Sequence, residues 1–417
     1  MQQVIIVLAD TTEQAEKNEE FIELVQAADM EIKETFTQNL KSITLRTYIG
    51  TGKCEEIHAY LQEQEIQRVV FNHDLSPLQI RNLEENLQTP VMDRTELILA
   101  IFESRAVTRT ARLQIECAQL KKLLPRLIGA NTQLGRQSGS GKNKGAGEKQ
   151  LELDRRRINA RIQELQRELK KIEAQRFNQR RARQKSMLPL VSLVGYTNAG
   201  KSTIMNMLLE HSSPYEEDKK VLEKDMLFAT LDTSIRHIDL PDGKSFLLSD
   251  TVGFVSDLPH DLVEAFHSTL EEVQYASLLV QVVDVSSEEY ARQMEITQET
   301  LQQIKAADIP MITVYNKCDQ SGYQYPQVHA HDLYMSAREK AGLQELLDLI
   351  HSHLYPDEKH VELHIPYQQT GIYSLLMKHA HVISRRDEED GIHLDAVLSD
   401  TLYQKYRNYI ISLKEEG

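Results

Sequence analysis

The sequence predicts an α/β protein in which a doubly wound, mostly parallel sheet is flanked by two smaller domains. The domain before it is a small α/β unit with an antiparallel helical hairpin, and the domain after it is a small α+β unit. Apolar runs alternate with helix-like stretches from residue 187 to 356, as in a sheet built from crossover units. Residues 105–186 carry two apolar stripes at heptad spacing. A glycine-bearing loop directly follows the apolar run LPLVSLV.

Chain length and composition narrow the class of protein. The 417 residues, 41% of them hydrophobic, suffice for about three domains with real cores. No apolar run approaches the roughly 20 residues of a membrane-spanning helix, and the start MQQVIIVLAD lacks the basic region of a signal peptide. The scattered cysteines Cys54, Cys117 and Cys318 suggest neither a disulfide framework nor a zinc site. We therefore expect a cytosolic protein with no membrane partner.

Charge is distributed very unevenly along the chain. The net charge of −15 by itself argues against a nucleic-acid partner. Residues 105–185, however, hold 22 Lys and Arg against 7 Asp and Glu, a local charge of +15, which leaves −30 for the remainder. One basic segment on an acidic body predicts that this segment binds a polyanion.

Residues 1–104 are predicted to form the first α/β domain. The runs VIIVLAD (4–10) and RVVFN (68–72) suit a covered sheet, and residues 13–28 have helical periodicity. YIGTGK (48–53) resembles part of a phosphate loop but lacks an earlier glycine and a hydroxyl after the lysine, so a structural turn is favoured.

Residues 105–186 are predicted to form the helical hairpin, with each helix burying its stripe on the other. The two stripes are Ala106, Thr110, Leu113, Cys117, Leu120 and Leu124, then Leu151, Ile158, Ile162, Leu165, Leu169 and Ile172. The joining segment 129–149 holds six glycines and several cations. We interpret it as a basic loop that orders against a phosphate backbone, with a flexible linker as the alternative.

The phosphate-binding motif opens the domain at 187–356. GYTNAGKS (195–202) matches the pattern G-x-x-x-x-G-K-[ST]. Gly195 and Gly200 allow backbone N–H groups to face phosphate oxygens, and Lys201 would lie beside the β- and γ-phosphates. The Ser202 hydroxyl would ligate Mg²⁺. Asp250, which begins DTVG after the run FLLSD, would hold the Mg²⁺ shell, and the Gly253 N–H would meet the γ-phosphate.

Two further motifs predict that the base is guanine. NKCD (316–319) follows the run MITVY, and its Asp319 would accept hydrogen bonds from the guanine N1–H and amino group. Adenine offers no donor at either place, so it would leave the carboxylate unpaired. Asn316 and Lys317 would brace the loop and the ring. SAR (336–338) would offer backbone N–H groups to the guanine carbonyl. These elements, in this order, favour a GTPase over an ATPase.

Residues 360–417 form the predicted C-terminal α+β domain. It is expected to begin with a strand and a helix, pass through the acidic turn RRDEEDG and end in a helix. No motif in it indicates a function.

The chain is identified as a member of the HflX family, in the Obg–HflX branch of GTPases, along essentially its whole length. The resemblance rests on GTGKCEEI, RTARLQIECAQLKKLLPRL, GEKQLELDRRRI, GYTNAGKST, FATLDTS, DTVGFVSDLPHDLVEAFHSTLEEV, NKCD and SAR. It implies a P-loop GTPase domain between the hairpin and the C-terminal domain. Where family members tend to read RGPGE-TQLE, this chain reads GAGEKQLE, which would suit a divergent paralogue.

The resemblance also implies roles for particular residues. Thr230 in FATLDTS would be the switch residue that closes on Mg²⁺ and the γ-phosphate, so the implied metal ligands are Ser202, Thr230 and Asp250. The implied catalytic residues are Lys201, Thr230, Gly253 and Asn198, where Asn198 would help to hold a K⁺ beside the phosphates. The full predicted nucleotide site comprises Gly195, Tyr196, Thr197, Asn198, Ala199, Gly200, Lys201, Ser202, Thr203, Phe228, Ala229, Thr230, Leu231, Asp232, Asp250, Thr251, Val252, Gly253, Asn316, Lys317, Cys318, Asp319, Ser336, Ala337 and Arg338.

Phe254 follows DTVG at the position where Ras-like enzymes carry the glutamine that orients water. An apolar ring cannot polarise water, so we expect slow hydrolysis without a partner, whether the ring has a catalytic consequence or only a packing role.

Family resemblance implies a monomer that is partly ribosome-associated. GTP-bound, it would engage the large (50S) ribosomal subunit and its rRNA near the peptidyl-transferase centre. It would split or rescue stalled 70S ribosomes and, as a divergent paralogue, relieve antibiotic inhibition. The alternative is an RNA-binding scaffold or regulatory GTPase in ribosome assembly or dormancy.

Overall fold

The computed structural model describes residues 2–10, 15–137, 144–185, 188–212, 228, 234–240, 243–255, 272–355, 359–388, 390–398 and 400–413. These residues contain three β-sheets, two of four strands and one of seven. No helix among them is long and apolar enough to cross a membrane.

The N-terminal sheet is parallel, with strand order β2-β1-β3-β4. Its elements are β1 (Gln2–Asp10), α1 (Ala15–Ala27), β2 (Met30–Asn39), α2 (Thr51–Glu63), β3 (Arg68–Phe71), α3 (Pro77–Leu87), β4 (Val91–Met92) and α4 (Arg94–Arg105). Side chains of β1 alternate between two cores. Ile5 and Val7 pack with residues of α2 and α3, whereas Val4 and Ile6 pack with residues of α1 and α4. Both faces are covered, as the continuous apolar runs predict.

The stretch YIGTGK is the start of a helix. Gly50 precedes the first turn of α2, and the ammonium of Lys53 lies 2.7 Å from a carboxylate oxygen of Glu56, three residues later on the same helix. The fold therefore agrees with the prediction that this stretch is structural and not a phosphate loop.

The helical hairpin consists of α5 (Arg109–Gln137) and α6 (Lys144–Lys185). Leu113 and Cys117 of α5 pack on Ile162 and Leu165 of α6, as the heptad spacing predicts. Ala106 is an exception, because it packs in the N-terminal core. The helices also extend into the predicted loop 129–149, because helix propagation tolerates single glycines at a cost of about 1 kcal/mol each. Residues 138–143 lie outside the described part of the chain.

The seven-stranded sheet has the order β10-β11-β9-β8-β5-β7-β6. Strands β11, β9, β8, β5 and β7 run parallel, and the edge strands β6 and β10 are antiparallel to their neighbours. Its elements are β5 (Leu190–Val194), α7 (Lys201–Ser212), β6 (Ser234–Asp239), β7 (Ser245–Asp250), β8 (Leu278–Asp284), α8 (Tyr290–Gln303), β9 (Met311–Asn316), β10 (Gln327–His329), β11 (Asp332–Tyr334) and α9 (Leu343–Leu354). The carboxyl ends of the parallel strands meet at one edge, where ligands bind in such sheets.

The C-terminal sheet is antiparallel, with order β13-β14-β12-β15. Its elements are β12 (Lys359–Ile365), α10 (Thr370–His379), β13 (His381–Glu388), β14 (Gly391–Leu398), α11 (Asp400–Tyr406) and β15 (Ile410–Leu413). The expected last helix is present as α11, but the described residues continue past it and end in the strand β15. The β-branched residues Ile410 and Ile411 suit a strand, and β15 pairs with β12.

Candidate nucleotide-binding site

The loop 195–200 leaves β5 and turns sharply into α7. Gly195, Asn198 and Gly200 have φ angles of 137°, 62° and 97°, in the region that favours glycine and, among other residues, asparagine. A Cβ on Gly200 would lie 2.2 Å from the side-chain nitrogen of Asn316. Glycine therefore lets this phosphate-binding loop close against the end of β9.

Lys201 is buried at the first turn of α7. Its ammonium donates hydrogen bonds to the carbonyl oxygens of Gly195 (3.0 Å) and Tyr196 (2.7 Å), so the side chain lies back along the loop. Burial lowers the pKa of Lys201 to about 8, while the charge of nearby Asp250 raises it. Phosphate oxygens beside this ammonium would stabilise its charged form, because an opposite charge offsets desolvation.

Ser202 and Asp250 come together from α7 and β7. The Ser202 hydroxyl donates a hydrogen bond of 2.9 Å to a carboxylate oxygen of Asp250, which is fully buried. A hydroxyl and a carboxylate are hard oxygen donors of the kind that Mg²⁺ prefers. The pair therefore fits a Mg²⁺ bound with the phosphates.

The segment after β7 lies directly on the phosphate-binding loop. The Thr197 N–H donates to the Phe254 carbonyl at 2.7 Å, and the Phe254 N–H donates to the Gly195 carbonyl at 3.2 Å. A Cβ on Gly253 would lie 2.6 Å from Thr197 Cα and 3.0 Å from Lys201 Nζ. This close approach requires glycine at position 253.

Phe254 points into an apolar cluster. Its side chain is 3% exposed and packs with residues of β5, β8 and α8, including Val194, Leu279 and Leu301. The ring thus anchors the segment 250–255 to the sheet. This geometry favours the packing role for Phe254.

At the base end of the site, Asn316 connects two loops. Its side-chain amide donates to the Ala199 carbonyl at 2.9 Å and accepts from the Ala337 N–H at 2.9 Å. The Ser336 hydroxyl donates to an Asp319 carboxylate oxygen at 2.7 Å, which fixes the orientation of that carboxylate. The backbone thus brings NKCD, SAR and the phosphate-binding loop to one place.

Lys317 and Cys318 support this arrangement. The ammonium of Lys317 lies 2.7 Å from a carboxylate oxygen of Asp284, at the end of β8. The buried Cys318 thiol donates to the Tyr315 carbonyl at 3.3 Å, and burial raises the pKa of this thiol.

The phosphate end of the site contacts the N-terminal domain. Phe228 is buried with its ring edge-on to Phe102 of α4, at 4.7 Å between ring centroids, and its N–H donates to the Thr197 hydroxyl at 2.9 Å. The Tyr196 hydroxyl donates to a carboxylate oxygen of Glu20 in α1 at 2.6 Å. The other oxygen of Glu20 lies 2.6 Å from the guanidinium of Arg94.

Three family models match the chain in succession. They are "GTP-binding GTPase N-terminal" over residues 15–103, "GTP-binding GTPase Middle Region" over residues 105–183 and "50S ribosome-binding GTPase" over residues 190–317. The GTPase HflX of Caldanaerobacter subterraneus subsp. tengcongensis is 41% identical, over 98% of this chain and 94% of that relative. The GTPase HflX of Escherichia coli K12 is 38% identical, over 89% and 87%. The chain belongs to the HflX family of GTPases.

Among solved structures, a GTP-binding protein from Sulfolobus solfataricus in complex with GDP is similar over 85% of this chain and 98% of that chain, with 24% identity and a TM-score of 0.45.

In this HflX-family chain, the structure brings the described members of the predicted site to the carboxyl edge of the central sheet. Thr251 is buried and donates to the Leu193 carbonyl at 2.7 Å, Thr203 is half-buried on α7, and Arg338 is exposed beside Ser336. Four predicted members, Ala229, Thr230, Leu231 and Asp232, lie outside the described residues.

Sequence reasoning missed three contributors to this HflX-type site. Asp284 was detectable, because it ends an apolar run at the carboxyl edge of the sheet, where functional side chains collect. Glu20 and Phe102 gave no local signal. Their importance arises only from contacts with Tyr196 and Phe228, which are far away in the sequence.

Proposed function

We propose that this GTPase attaches to the large ribosomal subunit when GTP is bound and splits or rescues stalled 70S ribosomes. The observation that carries the proposal is one shared apolar core. It contains Phe228, Val252 and Val255 from the phosphate end of the site together with Ala111 and Ile115 of α5. A change at the γ-phosphate would therefore act on the residues that support the hairpin.

The basic hairpin supplies the chemistry for an RNA partner. Its local charge of +15 on an otherwise acidic chain suits the phosphate backbone of rRNA, whereas the acidic remainder would be repelled. We propose that the segment 129–149 contacts rRNA near the peptidyl-transferase centre. Within it, Lys142 lies outside the described residues, and Lys144 and Lys149 belong to the start of α6.

We propose slow hydrolysis by the isolated protein and faster hydrolysis on the ribosome. In this scheme Lys201 and the Gly253 N–H bind the phosphates, Ser202 and Asp250 hold Mg²⁺, and Thr230 closes on Mg²⁺ and the γ-phosphate when the subunit binds. Asn198 would help to hold a K⁺ that stabilises charge on the β- and γ-phosphates. Asn198 has a left-handed backbone conformation at the sharp turn of this loop, between Gly195 and Gly200.

The protein would act as a cytoplasmic monomer, partly bound to ribosomes. We propose domain bounds of 1–104, 105–186, 187–356 and 360–417. Relief of antibiotic inhibition would be a specialised form of the same activity. A second candidate, an RNA-binding scaffold or regulatory GTPase in ribosome assembly or dormancy, is favoured by the hairpin charge, since that charge is present whichever nucleotide is bound.

Cosedimentation with 50S and 70S particles separates the two candidates. With a non-hydrolysable GTP analogue, the protein should move with 50S particles and deplete the 70S peak, whereas with GDP it should do neither. Binding of equal strength in both nucleotides, with intact 70S particles, would contradict the splitting factor and favour the scaffold.

The hairpin contact is tested by replacing Lys142, Lys144 and Lys149 with Ala. Subunit binding should weaken, and the salt dependence of log K should flatten by about 0.7–0.9 for each lost phosphate contact. GTP affinity should not change. The matched control replaces Lys33, Lys53 and Lys359, which removes the same charge outside the hairpin and should leave the salt slope unchanged. A hairpin variant with the wild-type slope would show that the segment is only a linker.

A further inference from the structure

The C-terminal sheet places two histidines side by side. In the antiparallel pairing of β12 and β14, His364 lies directly opposite His393, on the face away from the buried residues Leu363 and Leu394. The two imidazole rings are 4.9 Å apart between centroids and tilted by 38°. Directly opposite residues on one face of a sheet have adjacent side chains, so the register alone brings these rings together.

The turn between β13 and β14 adds a carboxylate to the pair. One carboxylate oxygen of Asp390 lies 3.3 Å from His364 Nε2, and the other lies 3.7 Å from His393 Nε2. The three candidate ligand atoms all lie within 4.8 Å of one another. A carboxylate oxygen of Glu388, on β13, lies 3.6 Å from His393 Nε2.

Both histidine Nε2 atoms have lost contact with water without gaining a hydrogen bond, although carboxylate oxygens lie 3.3–3.7 Å away. Each is buried from solvent, and neither makes a hydrogen bond within the described part of the chain. Leaving a buried polar atom unsatisfied costs about 1–3 kcal/mol, so two such atoms pointing at one carboxylate need an explanation. A cation between them would accept both nitrogen lone pairs and neutralise the carboxylate.

We propose that His364, Asp390 and His393 bind a divalent transition-metal ion of the Zn²⁺ class. Imidazole nitrogen with carboxylate oxygen suits Zn²⁺, whereas Mg²⁺ and Ca²⁺ prefer ligand sets made only of oxygen. In a tetrahedral zinc site with bonds near 2.0 Å, neighbouring ligand atoms are about 3.3 Å apart. The separations from Asp390 to the two Nε2 atoms, 3.3 and 3.7 Å, are close to that spacing.

Gly391 leaves room for this arrangement. A Cβ at position 391 would lie 2.6 Å from His364 Nε2 and 2.6 Å from the Ile365 carbonyl oxygen. A side chain would therefore displace the His364 ring from the site. The glycine next to Asp390 keeps the ligand atom of His364 open toward the turn.

The surrounding charges are compatible with a cation. Arg386 lies opposite His393 on β13, but its guanidinium bonds a carboxylate oxygen of Glu362 at 3.0 Å. The carboxylates of Asp390 and Glu388 supply negative charge on the other side. A bound ion would tie the exposed turn at Asp390 to β12 and so stabilise the C-terminal domain.

Co²⁺ is a suitable probe, because tetrahedral Co²⁺ absorbs visible light much more strongly, and at longer wavelength, than octahedral Co²⁺ does. Full-length protein is stripped with a chelator and then kept with GDP and excess Mg²⁺, so that the phosphate site is occupied by Mg²⁺. Titration should give one equivalent with tetrahedral bands, which Zn²⁺ displaces. Zn²⁺ should also raise the unfolding temperature.

The variants His364→Ala and His393→Ala should lose this equivalent, the bands and the Zn²⁺-dependent rise in unfolding temperature. Asp390→Asn tests the site at an exposed turn, where folding is not at risk, and should lose the same signals. The matched control is His360→Ala, on the same face of β12, where His360 Nε2 is already bonded to Asp395 at 2.5 Å. It should bind Co²⁺ like the wild type. Unchanged stoichiometry and spectrum in Asp390→Asn and His393→Ala would overturn the proposal.

Discussion

At the base end of the candidate nucleotide site, Asn316, Asp319 and Ser336 are held by hydrogen bonds within the domain of the seven-stranded sheet, which we call the G domain. At the phosphate end, Tyr196 and Phe228 are held partly by the N-terminal domain, through Glu20 and Phe102. We therefore expect base choice to depend on the G domain alone, and the conformation at the phosphates to depend on both domains. We expect the N-terminal domain and its hairpin to respond to the phosphates of the bound nucleotide and not to its base.

Asp319→Asn should impair only the recognition of the base, and it should have the largest effect on nucleotide affinity. The variant amide places a donor opposite the guanine amino group, where the carboxylate offered an acceptor, while its oxygen can still accept from N1–H. Loss of hydrogen bonds to a charged group costs about 3 kcal/mol, or roughly a hundredfold in GDP affinity. Xanthine nucleotides, which carry a carbonyl where guanine has its amino group, should bind the variant better than guanine nucleotides do. Calorimetric titration with GDP and XDP measures both, and unchanged GDP affinity would remove Asp319 from base recognition.

Tyr196→Phe should weaken only the contact between the phosphate end of the site and the N-terminal domain. It removes the hydroxyl that donates to the Glu20 carboxylate at 2.6 Å. A hydrogen bond to a charged group contributes about 2 kcal/mol, so the two domains should separate more readily near α1. Hydrogen exchange of α1 amides should accelerate, while the preference for guanine stays unchanged.

Tyr325→Phe is the matched control. Its hydroxyl donates to Glu339 at 2.9 Å, a tyrosine–glutamate bond that lies wholly within the G domain. Exchange in α1 should be the same as in the wild type. If both variants leave α1 protected, the Tyr196–Glu20 contact does not couple the domains.

The same contrast explains what the sequence could predict. The phosphate loop, Asp250 and NKCD lie at strand ends, so local pattern and strand order located the described parts of both ends of the site. The contacts of Tyr196 and Phe228 join residues distant in sequence, and no local pattern encodes them. Likewise, the paired stripes predicted the contact between α5 and α6, but not that Ala106 packs into the N-terminal core. The end of α5 and the start of α6 lie within 129–149, beyond the paired apolar stripes. How far each helix propagates past its stripe cannot be read from the composition of this segment.

Monovalent salt should distinguish a catalytic role of Asn198 from a structural one. If Asn198 helps to hold K⁺ beside the phosphates, hydrolysis should be about tenfold faster in KCl than in NaCl at equal ionic strength, equivalent to roughly 1.4 kcal/mol in the barrier. Asn198→Ala should abolish the difference while still binding GTP. Equal wild-type rates in both salts would leave the ribosome as the only proposed activator.

The smallest expected effect is the pH dependence of GDP affinity, which should come from the phosphate end of the site and not from the base end. Burial lowers the pKa of Lys201 to about 8, and the phosphates of GDP should raise it, so binding should take up a proton. The part of the GDP affinity that comes from the charged Lys201 ammonium is present in full well below pH 8. It is lost progressively as the pH rises through 8, because the free protein must then gain a proton to bind GDP. Between pH 7.5 and 8.5 GDP affinity should fall about threefold. Calorimetry in two buffers of different ionisation enthalpy measures the proton uptake directly.

Lys317→Met, at the base end, should weaken binding but keep this pH dependence, whereas Lys201→Met should abolish it. A wild-type affinity that is constant across this range would show that Lys201 is already charged before nucleotide binds.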